Sequence, residues 1–293
     1  MTAIAATPAR AAPLDPHLSR IRDLIYQAAG IFHPDNKLRL LEDRCGRRLQ
    51  ELRIPSLHSY LERLNDPATG RNEMVRLLNE ITIGETCFFR NQAQLDALKS
   101  VVLPRILTAL SPLAPKCLRF WSAGCSTGEE PYSLAMFLLE ECTTLLKSLT
   151  TQILATDLNE HSLEHAHAGQ YGDYSVRNVK SHYRQKHFVA AGDKLGVGSE
   201  ARKLVTLSRL NLLDVPRMAL MKEMDVIFCA NVLIYFDLQS KRKVIEQFYA
   251  SLKPHGYLFL GHSESLFGVT DKFRLIHFQS ATGYVKAQAL AGK

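Results

Sequence analysis

The chain has 293 residues, 46% of them hydrophobic, which is enough for one medium-sized domain and a small companion. No stretch approaches the roughly 20 uninterrupted apolar residues of a membrane helix, so the composition argues against a membrane-spanning protein. The formal net charge of +7 and the pI of about 9.1 favour an anionic partner, but charge alone does not choose among nucleic acid, a membrane surface and an acidic protein.

The N-terminal residues 1–16 are rich in Ala and Pro and lack the continuous apolar core of a signal peptide, so they are predicted to be disordered. The six cysteines form no C-x-x-C or Cys/His metal spacing, and no metal site is expected. They are residues 45, 87, 117, 125, 142 and 229. Several lie in apolar runs, where a free thiol behaves as a small hydrophobe, and this usage suits a reducing, cytoplasmic environment.

Residues 17–80 have the apolar periodicity of helices separated by short breaks. Four helices are expected, the first around 21–28, the second from 36 to about 52, the third from 56 through 64 and the fourth over 73–79. The short connections predict a compact all-helical domain.

Residues 81–290 have a different sequence pattern, in which strand-like apolar runs alternate with predicted helices. The runs are 117–123, 152–157, 225–236 and 256–262, and the helices are 130–146, 160–168 and 239–252. This alternation indicates an α/β fold with a doubly wound parallel sheet. The last two strands, 273–278 and 282–286, have no helix between them and predict an antiparallel edge. The polar, Gly-interrupted stretch 170–213 contains short β-like pieces and looks like an insertion in this sheet.

Polar groups follow three of these strands, at the edge where a doubly wound sheet binds ligands. After the first strand, glycines let the backbone approach a ligand, and the carboxylates of Glu129 and Glu130 suit an ammonium group rather than a pyrophosphate. Asp157 ends the second strand and can accept hydrogen bonds from ribose hydroxyls. Two short pairs, Asn211-Leu212 and Asn231-Val232, offer amides and apolar walls for a purine.

A ligand with an ammonium group, a ribose and an adenine but no phosphate is S-adenosylmethionine. Each feature alone has a plainer interpretation, since a Gly-containing turn is often only a turn and a lone acid often caps a helix. Their order along the chain and their placement strand by strand favour a methyltransferase.

Several segments together resemble the chemotaxis receptor methyltransferase (CheR) family over roughly residues 18–286. They are Thr82-Ile-Gly-Glu-Thr-Cys-Phe-Phe-Arg90, Trp121-Ser-Ala-Gly-Cys-Ser-Thr-Gly-Glu-Glu-Pro-Tyr132, Ala155-Thr-Asp-Leu158, Asn211-Leu-Leu213, Phe228-Cys-Ala-Asn-Val-Leu-Ile-Tyr-Phe236 and Gly261-His-Ser-Glu264. The resemblance implies a Rossmann-like S-adenosylmethionine methyltransferase domain over 81–290, with a small antiparallel β-subdomain inserted at 170–213. A small all-helical receptor-docking domain over 17–80 would precede it.

The resemblance also implies which residues form the cofactor site. They are Thr86, Arg90, one of Glu129 and Glu130, Asp157, Asn211, Leu212, Asn231 and Val232, with Arg90 and Tyr235 near the transferred methyl group. One position departs from the pattern: the family has Asn where this chain has Gly84, so a side-chain amide contact is absent there. The implied reaction produces glutamate methyl esters on chemoreceptors and S-adenosylhomocysteine.

A glutamate acceptor needs no general base, because its reference pKa of about 4.3 leaves it ionised near neutral pH. Arg90 is read as the cation that holds a carboxylate through its planar fork, against the alternative of a surface Arg that follows two core Phe residues. Tyr235 is read as a wall beside the methyl-sulfonium, against the alternative of an ordinary aromatic residue at a strand end.

The second predicted helix has a basic face formed by Lys37, Arg44, Arg47 and Arg48. A solvated face and a nucleic-acid contact are both open readings. The resemblance implies docking on acidic chemoreceptor helices, with no nucleic acid, no membrane insertion and a monomeric protein.

Three other functions compete with this interpretation. A nucleic-acid methyltransferase usually has Asn/Asp-Pro-Pro-Tyr after the fourth strand, whereas this chain has Asn231-Val-Leu-Ile-Tyr235 without prolines. A regulatory binding module with the same fold is disfavoured by the intact Arg90, Asp157 and Tyr235. A small-molecule carboxyl methyltransferase would not need the basic helical domain.

Overall fold

A computed structural model of the protein describes residues 14–110 and 117–287. Contacts divide the chain into two compact units. Of the described residues, the first unit contains 14–28 and Phe32–Ile81, and the second contains Ala29–Ile31 and those from Thr82 onward. Of residues 1–16, which are predicted to be disordered, residues 1–13 lie outside the described part of the chain. None of the described helices combines the length and the apolar character needed to cross a membrane.

The first unit is built from short amphipathic helices. Its elements are α1 (His17–Ala29), a 3-10 turn (Asp35–Lys37), α2 (Leu38–Leu52), α3 (Leu57–Asn65) and α4 (Gly70–Ile81). The Ser56 hydroxyl accepts the Ser59 N–H at 3.2 Å and caps α3, and α2 ends at Arg53, where φ is 55°. The all-helical prediction is confirmed, although α4 begins at Gly70 rather than at Glu73.

The second unit contains a large sheet and a small sheet. In chain order the strands are β1 (Cys117–Ala123), β2 (Thr150–Asp157), β3 (Gln170–Tyr171), β4 (Phe188–Ala191), β5 (Lys194–Val197), β6 (Val205–Arg209), β7 (Met224–Cys229), β8 (Leu252–Leu260), β9 (Phe273–His277) and β10 (Thr282–Lys286). Among the described residues, seven strands form the large sheet in the order β6-β2-β1-β7-β8-β10-β9, and β3, β5 and β4 form the small antiparallel sheet. The first five strands of this order, β6, β2, β1, β7 and β8, are parallel, whereas β10 is antiparallel to both β8 and β9. This confirms the predicted doubly wound sheet with an antiparallel edge.

Helices flank and connect the strands of the second unit. They are α5 (Gln92–Ala97), α6 (Leu103–Ala109), α7 (Glu129–Glu141), α8 (Thr143–Leu146), α9 (Glu160–Ala168), α10 (Asp173–Val176), α11 (Ser181–His187), α12 (Ser199–Leu204), α13 (Val215–Met218) and α14 (Leu238–Ser251). A π-helical turn (Leu98–Val102) joins α5 to α6, and a 3-10 turn (Leu233–Tyr235) follows β7.

The central strands are buried on both faces, as a parallel sheet covered by helices requires. Every residue of β7 is buried. Phe120 and Trp121 are neighbours on β1, so they point to opposite faces, and each belongs to a separate apolar cluster. The buried indole N–H of Trp121 donates a 2.9 Å hydrogen bond to Thr156 Oγ1, which pairs the one polar atom of that side chain.

Several predicted boundaries differ from the structure: β8 begins at Leu252 rather than at residue 256, and the predicted helix 130–146 is divided into α7 and α8. The apolar run 225–236 is a strand only as far as Cys229, because the chain turns at Asn231, where φ is 62°, and then forms the 3-10 turn. The inserted stretch is shorter than residues 170–213, because β6 pairs with β2 in the large sheet. The small sheet itself therefore ends at Val197.

Candidate active site

A cavity of about 280 Å³ lies within the second unit, where β1, β2, β6 and β7 end. The loops that follow these four strands all contribute to its lining, as ligand sites in doubly wound sheets require. Nine of the predicted site residues line it: Thr86, Arg90, Glu130, Asp157, Asn211, Leu212, Asn231, Val232 and Tyr235.

Glu129 is the predicted site residue that does not line the cavity. Its side chain is 2% exposed and accepts hydrogen bonds from the Thr127 hydroxyl at 2.6 Å and the Ser175 hydroxyl at 2.9 Å. Adjacent residues of a helix point about 100° apart, so only Glu130 of this pair faces the cavity. The prediction that either glutamate could bind the cofactor is therefore corrected in favour of Glu130.

The loop after β1 is shaped by close backbone approach. Gly124 has φ of 79°, and a Cβ at this position would lie 2.3 Å from Cγ2 of Val232, so glycine lets the loops after β1 and β7 meet. Ser126 has φ of 50°, and its N–H donates a 2.7 Å hydrogen bond to Asp157 Oδ2. The lining thus contains backbone conformations that are costly for most residues, which is common at functional sites.

The carboxylate of Asp157 joins the ends of β1 and β2. It accepts N–H groups from Ser126 at 2.7 Å and from Asn159 at 2.8 Å. Burial raises the pKa of Asp157 above its ordinary value, while these N–H donors lower it. The Leu158 N–H also contributes a hydrogen bond to this carboxylate, and because a carboxylate has about four lone-pair directions, acceptor capacity remains for a ligand hydroxyl.

Glu130 is, with Asp157, one of two half-buried acids that line the cavity. Burial raises its pKa from 4.5 to about 7, while the hydrogen bond from Ser122 and the charge of Arg90 lower it and the charge of Glu264 raises it. The Ser122 hydroxyl donates to Glu130 Oε1 at 2.7 Å. A half-buried carboxylate of this kind attracts a ligand cation, because pairing with the cation favours its ionised form.

The loop after β7 supplies an amide, an apolar side chain and a phenol. Asn231 has a left-handed backbone, and the hydroxyl of Tyr235 donates to the Ile83 carbonyl oxygen at 3.4 Å. Burial raises the pKa of Tyr235, so its hydroxyl is neutral near pH 7. On the far side of the cavity, Asn211 Oδ1 accepts the Leu213 N–H at 3.0 Å and so orients the Asn211 amide.

Arg90 lies on the cavity lining and is exposed. Its Nη1 donates to the Glu85 carbonyl oxygen at 2.9 Å. The preceding Phe89 is buried with φ of 54°, and its N–H donates to Ser133 Oγ at 2.9 Å. This turn buries the phenyl ring and leaves Arg90 exposed on the cavity lining, where its guanidinium can meet an anion.

Gly84, the position at which the chain departs from the family pattern, also lines the cavity. A Cβ there would lie 2.8 Å from Ser126 Oγ, which donates a 3.1 Å hydrogen bond to the Gly84 carbonyl oxygen. The serine side chain occupies the space that a side chain at residue 84 would need, and the backbone of residue 84 still contributes to the lining.

Three residues that support the site are not marked by any sequence pattern. Ser122, Ser126 and Glu264 act through hydrogen bonds to Glu130, Asp157 and the Asn231 backbone. The first two lie in a segment that the resemblance already covers, and Glu264 ends another, but no local pattern shows which atoms they bind.

The basic face of α2 is smaller than predicted. Lys37 and Arg47 are exposed and Arg44 is half-buried, but Arg48 is only 4% exposed. Arg48 donates to both carboxylate oxygens of Glu73, from Nε at 2.9 Å and from Nη2 at 3.0 Å. Its assignment as a docking residue is therefore wrong, because its guanidinium is consumed by a buried ion pair inside the helical unit.

Comparison with known proteins decides the family. Residues 84–282 match the model of the CheR methyltransferase SAM-binding domain, and residues 16–82 match that of the CheR methyltransferase all-alpha domain. The chain belongs to the CheR methyltransferase family. It is 36% identical to chemotaxis protein methyltransferase 2 of Vibrio cholerae serotype O1 over 93% of both chains, and 36% identical to chemotaxis protein methyltransferase 1 of Pseudomonas aeruginosa over 87% of this chain and 92% of the relative.

Among solved structures, magnesium protoporphyrin IX methyltransferase from Synechocystis PCC 6803 with bound SAM aligns over 94% of this chain and 97% of its own. The sequence identity is 14% and the TM-score is 0.34, so this likeness adds nothing to the family match.

This CheR family member is a methyltransferase that uses S-adenosylmethionine. The lining residues fit that cofactor: Glu130 suits its ammonium group, Asp157 its ribose hydroxyls, and Asn211, Leu212, Asn231 and Val232 its adenine. When bound, the cofactor supplies an electrophilic methyl group on a sulfonium.

Proposed function

We propose that this enzyme methylates glutamate side chains on the cytoplasmic helices of chemoreceptors. The observation that carries the proposal is the position of Arg90. This residue places an exposed guanidinium on the lining of the cofactor cavity, where an anionic acceptor would approach. A planar guanidinium binds a carboxylate through two parallel hydrogen bonds and fixes its orientation.

The proposed reaction is balanced without an added base. A carboxylate oxygen of the acceptor forms a bond to the methyl carbon, the bond between that carbon and sulfur breaks, and sulfur keeps the electron pair. The acceptor loses its negative charge and the sulfonium its positive charge, so the products are a methyl ester and S-adenosylhomocysteine. The residues of this chain would contribute mainly by alignment and by excluding water.

Tyr235 and Arg90 have different proposed roles in this step. The ring of Tyr235 can stabilise a cationic centre through its face, and its neutral hydroxyl cannot compete with the acceptor as a nucleophile. Arg90 holds the acceptor carboxylate. A neutral wall on one side and a cation on the other favour an anionic acceptor over a lysine or an amine.

The proposed partner is the acidic cytoplasmic helix pair of a chemoreceptor. Relatives named as chemotaxis protein methyltransferases support this assignment, and a cytoplasmic location follows from it and from the free cysteines. Within residues 17–80, Lys37, Arg44 and Arg47 would form the docking face, with Arg48 excluded for the reason given above.

Nucleic acid is the competing partner for the basic face. A pull-down distinguishes these two partners. The full-length protein is offered immobilised receptor cytoplasmic fragment and immobilised duplex DNA at the same salt concentration. Preferential retention on the receptor fragment is expected. Preferential retention on DNA would overturn the proposed partner.

Peptide mass spectrometry tests the proposed acceptor. A receptor cytoplasmic fragment is incubated with the full-length protein and S-adenosylmethionine, digested under acidic conditions and mapped. Methyl groups are expected on glutamate side chains alone, and only when protein and cofactor are both present. Methyl groups confined to lysine, or a receptor fragment left unmodified by a protein that binds the cofactor, would overturn the acceptor assignment.

A further inference from the structure

The loop after β7, which supplies Asn231, Val232 and Tyr235 to the cavity, is held from the neighbouring strand. β7 and β8 are parallel, and Cys229 at the end of β7 is in register with Leu260 at the end of β8. The two segments that leave these strands therefore start side by side at the same edge of the sheet. The segment after β8 is Gly261-His-Ser-Glu264.

The carboxylate of Glu264 accepts three backbone N–H groups. Its Oε2 accepts from Asn231 at 2.8 Å and from Gly261 at 2.8 Å, and its Oε1 accepts from Ile234 at 3.2 Å. Hydrogen bonds to a charged acceptor are about twice as strong as neutral ones. The same side chain thus closes its own turn and fixes the backbone at both ends of the segment from Asn231 to Ile234.

The backbone at this point is shaped to admit that carboxylate. Asn231 has φ of 62°, an unfavourable conformation for most residues that Asn tolerates better than others. A Cβ at Gly261 would lie 2.7 Å from Glu264 Oε2 and 2.8 Å from the Asn231 nitrogen. Only glycine leaves room for the carboxylate to reach both N–H groups, so Gly261, Glu264 and Asn231 form one arrangement.

Glu264 does not line the cavity, whereas Asn231, Val232, Ile234 and Tyr235 do. Its hydrogen bonds therefore act on the site through the backbone that carries these side chains, while its charge raises the pKa of Glu130. Without the carboxylate, the chain after Cys229 would lose the two hydrogen bonds, from the Asn231 and Ile234 N–H groups, that hold it in the left-handed turn.

We propose that Glu264 is a positioning residue for cofactor binding, which presets the adenine-binding wall formed by Asn231 and Val232 before the cofactor arrives. A preformed wall lowers the ordering cost of binding, so the effect appears in the affinity for S-adenosylmethionine and S-adenosylhomocysteine. The proposal rests on the assigned cofactor and is independent of the identity of the methyl acceptor.

Isothermal calorimetry with S-adenosylhomocysteine tests the proposal in the full-length protein. Glu264→Gln keeps the size of the side chain but loses its charge and presents an amide N–H₂ where an N–H donor now points. The dissociation constant is expected to rise about tenfold or more, because a hydrogen bond to a charged group is lost. In steady-state assays KM for S-adenosylmethionine should rise by a larger factor than kcat falls.

Gly261→Ala provides a second, independent disturbance, because it keeps the Glu264 charge but pushes the carboxylate away from Asn231. It should weaken S-adenosylhomocysteine binding in the same direction. Glu200→Gln, at an exposed glutamate that pairs with Lys203, is the matched control and should bind like the wild type.

The outcomes separate this proposal from the proposed function. If both variants fold and keep the wild-type affinity for S-adenosylhomocysteine and the wild-type KM for S-adenosylmethionine, the positioning role is overturned. A thermal unfolding temperature that falls while KM of the folded fraction stays unchanged would also overturn it, since that pattern belongs to a structural residue. A wild-type protein that binds S-adenosylhomocysteine but methylates no receptor fragment would overturn the acceptor assignment and leave the role of Glu264 intact.

Discussion

The hydroxyl of Ser122 donates a 2.7 Å hydrogen bond to Oε1 of Glu130. Ser122 is fully buried in β1, so the carboxylate is anchored to the sheet rather than to a mobile loop. One neutral hydroxyl stabilises this half-buried carboxylate only in part, and the loss of solvation still raises the pKa of Glu130 to about 7. The site therefore contains an acid whose charge is incomplete near neutral pH until a cation binds.

Cofactor affinity should depend on the ionisation of Glu130. Below its pKa of about 7 the side chain is protonated and neutral, and above it the carboxylate attracts the cofactor ammonium. S-adenosylhomocysteine, measured by calorimetry between about pH 5.5 and about pH 7.5, should therefore bind more tightly as pH rises. Glu130→Gln should bind weakly and without this pH dependence, while Glu129→Gln should keep it. A pH-independent wild type would contradict the assignment of Glu130.

Arg90→Ala should abolish receptor methylation and leave the fold intact. The side chain is exposed and its hydrogen bond is to the Glu85 carbonyl oxygen, so its removal leaves no buried charge behind. The methylation rate should fall about 100-fold or more, because the acceptor carboxylate loses its cation. Thermal unfolding should show a folded protein. Because Arg90 also lines the cofactor cavity, the methylation rates are compared at saturating S-adenosylmethionine, and Arg105→Ala on α6 serves as the control. Wild-type turnover by Arg90→Ala would remove Arg90 from the mechanism.

Arg48→Ala should destabilise the helical unit. Glu73 is 4% exposed, accepts two hydrogen bonds from Arg48 and a third from the Tyr60 hydroxyl at 2.8 Å. Removing the guanidinium leaves a buried, uncompensated carboxylate, which costs about 3–5 kcal/mol. Urea unfolding measures this loss. Arg47→Ala on the same helix breaks only a 3.6 Å surface pair with Glu80 and should cost less than about 1 kcal/mol. Equal stability of the two variants would contradict the buried-pair interpretation.

The double variant Lys37→Ala/Arg47→Ala should weaken binding to a receptor cytoplasmic fragment. Both side chains are exposed, so the loss comes from charge attraction and should shrink as salt concentration rises. The affinity for S-adenosylhomocysteine should stay at the wild-type value. The matched control, Lys222→Ala/Lys243→Ala, removes two exposed charges from the second unit. A double variant that binds the receptor fragment as the wild type does would refute docking through α2.

Much of the fold follows from local patterns. The strand over Cys117–Ala123 is predicted with its observed bounds, because a short apolar run between polar segments marks both ends. The run 225–236 gives no such mark, since its apolar character continues past the real end of β7. The chain leaves the sheet there because Glu264, from a distant part of the sequence, captures the Asn231 N–H. A long-range hydrogen bond leaves no trace in local periodicity.

In the site too, some residues can be predicted from the sequence and others cannot. Glu130, Asp157 and the residues after β6 and β7 are predictable because strand ends of a parallel sheet converge on one edge. The choice between Glu129 and Glu130 cannot be predicted from the sequence, because Ser175, in the inserted stretch, binds the Glu129 carboxylate outside the cavity. The prediction for Arg48 is wrong for a related reason. Helical spacing places Arg48 on a basic face, but Glu73, with which it forms a buried ion pair, lies on another helix.

The most direct test of the proposed reaction is transfer of a radiolabelled methyl group from S-adenosylmethionine. The acceptors are a receptor cytoplasmic fragment and its variant with the methylated glutamates replaced by glutamine. The account predicts label on the unmodified fragment that is released as methanol by mild base, and no label on the glutamine variant. Label that resists base, or that is equal on the two fragments, would contradict glutamate ester formation.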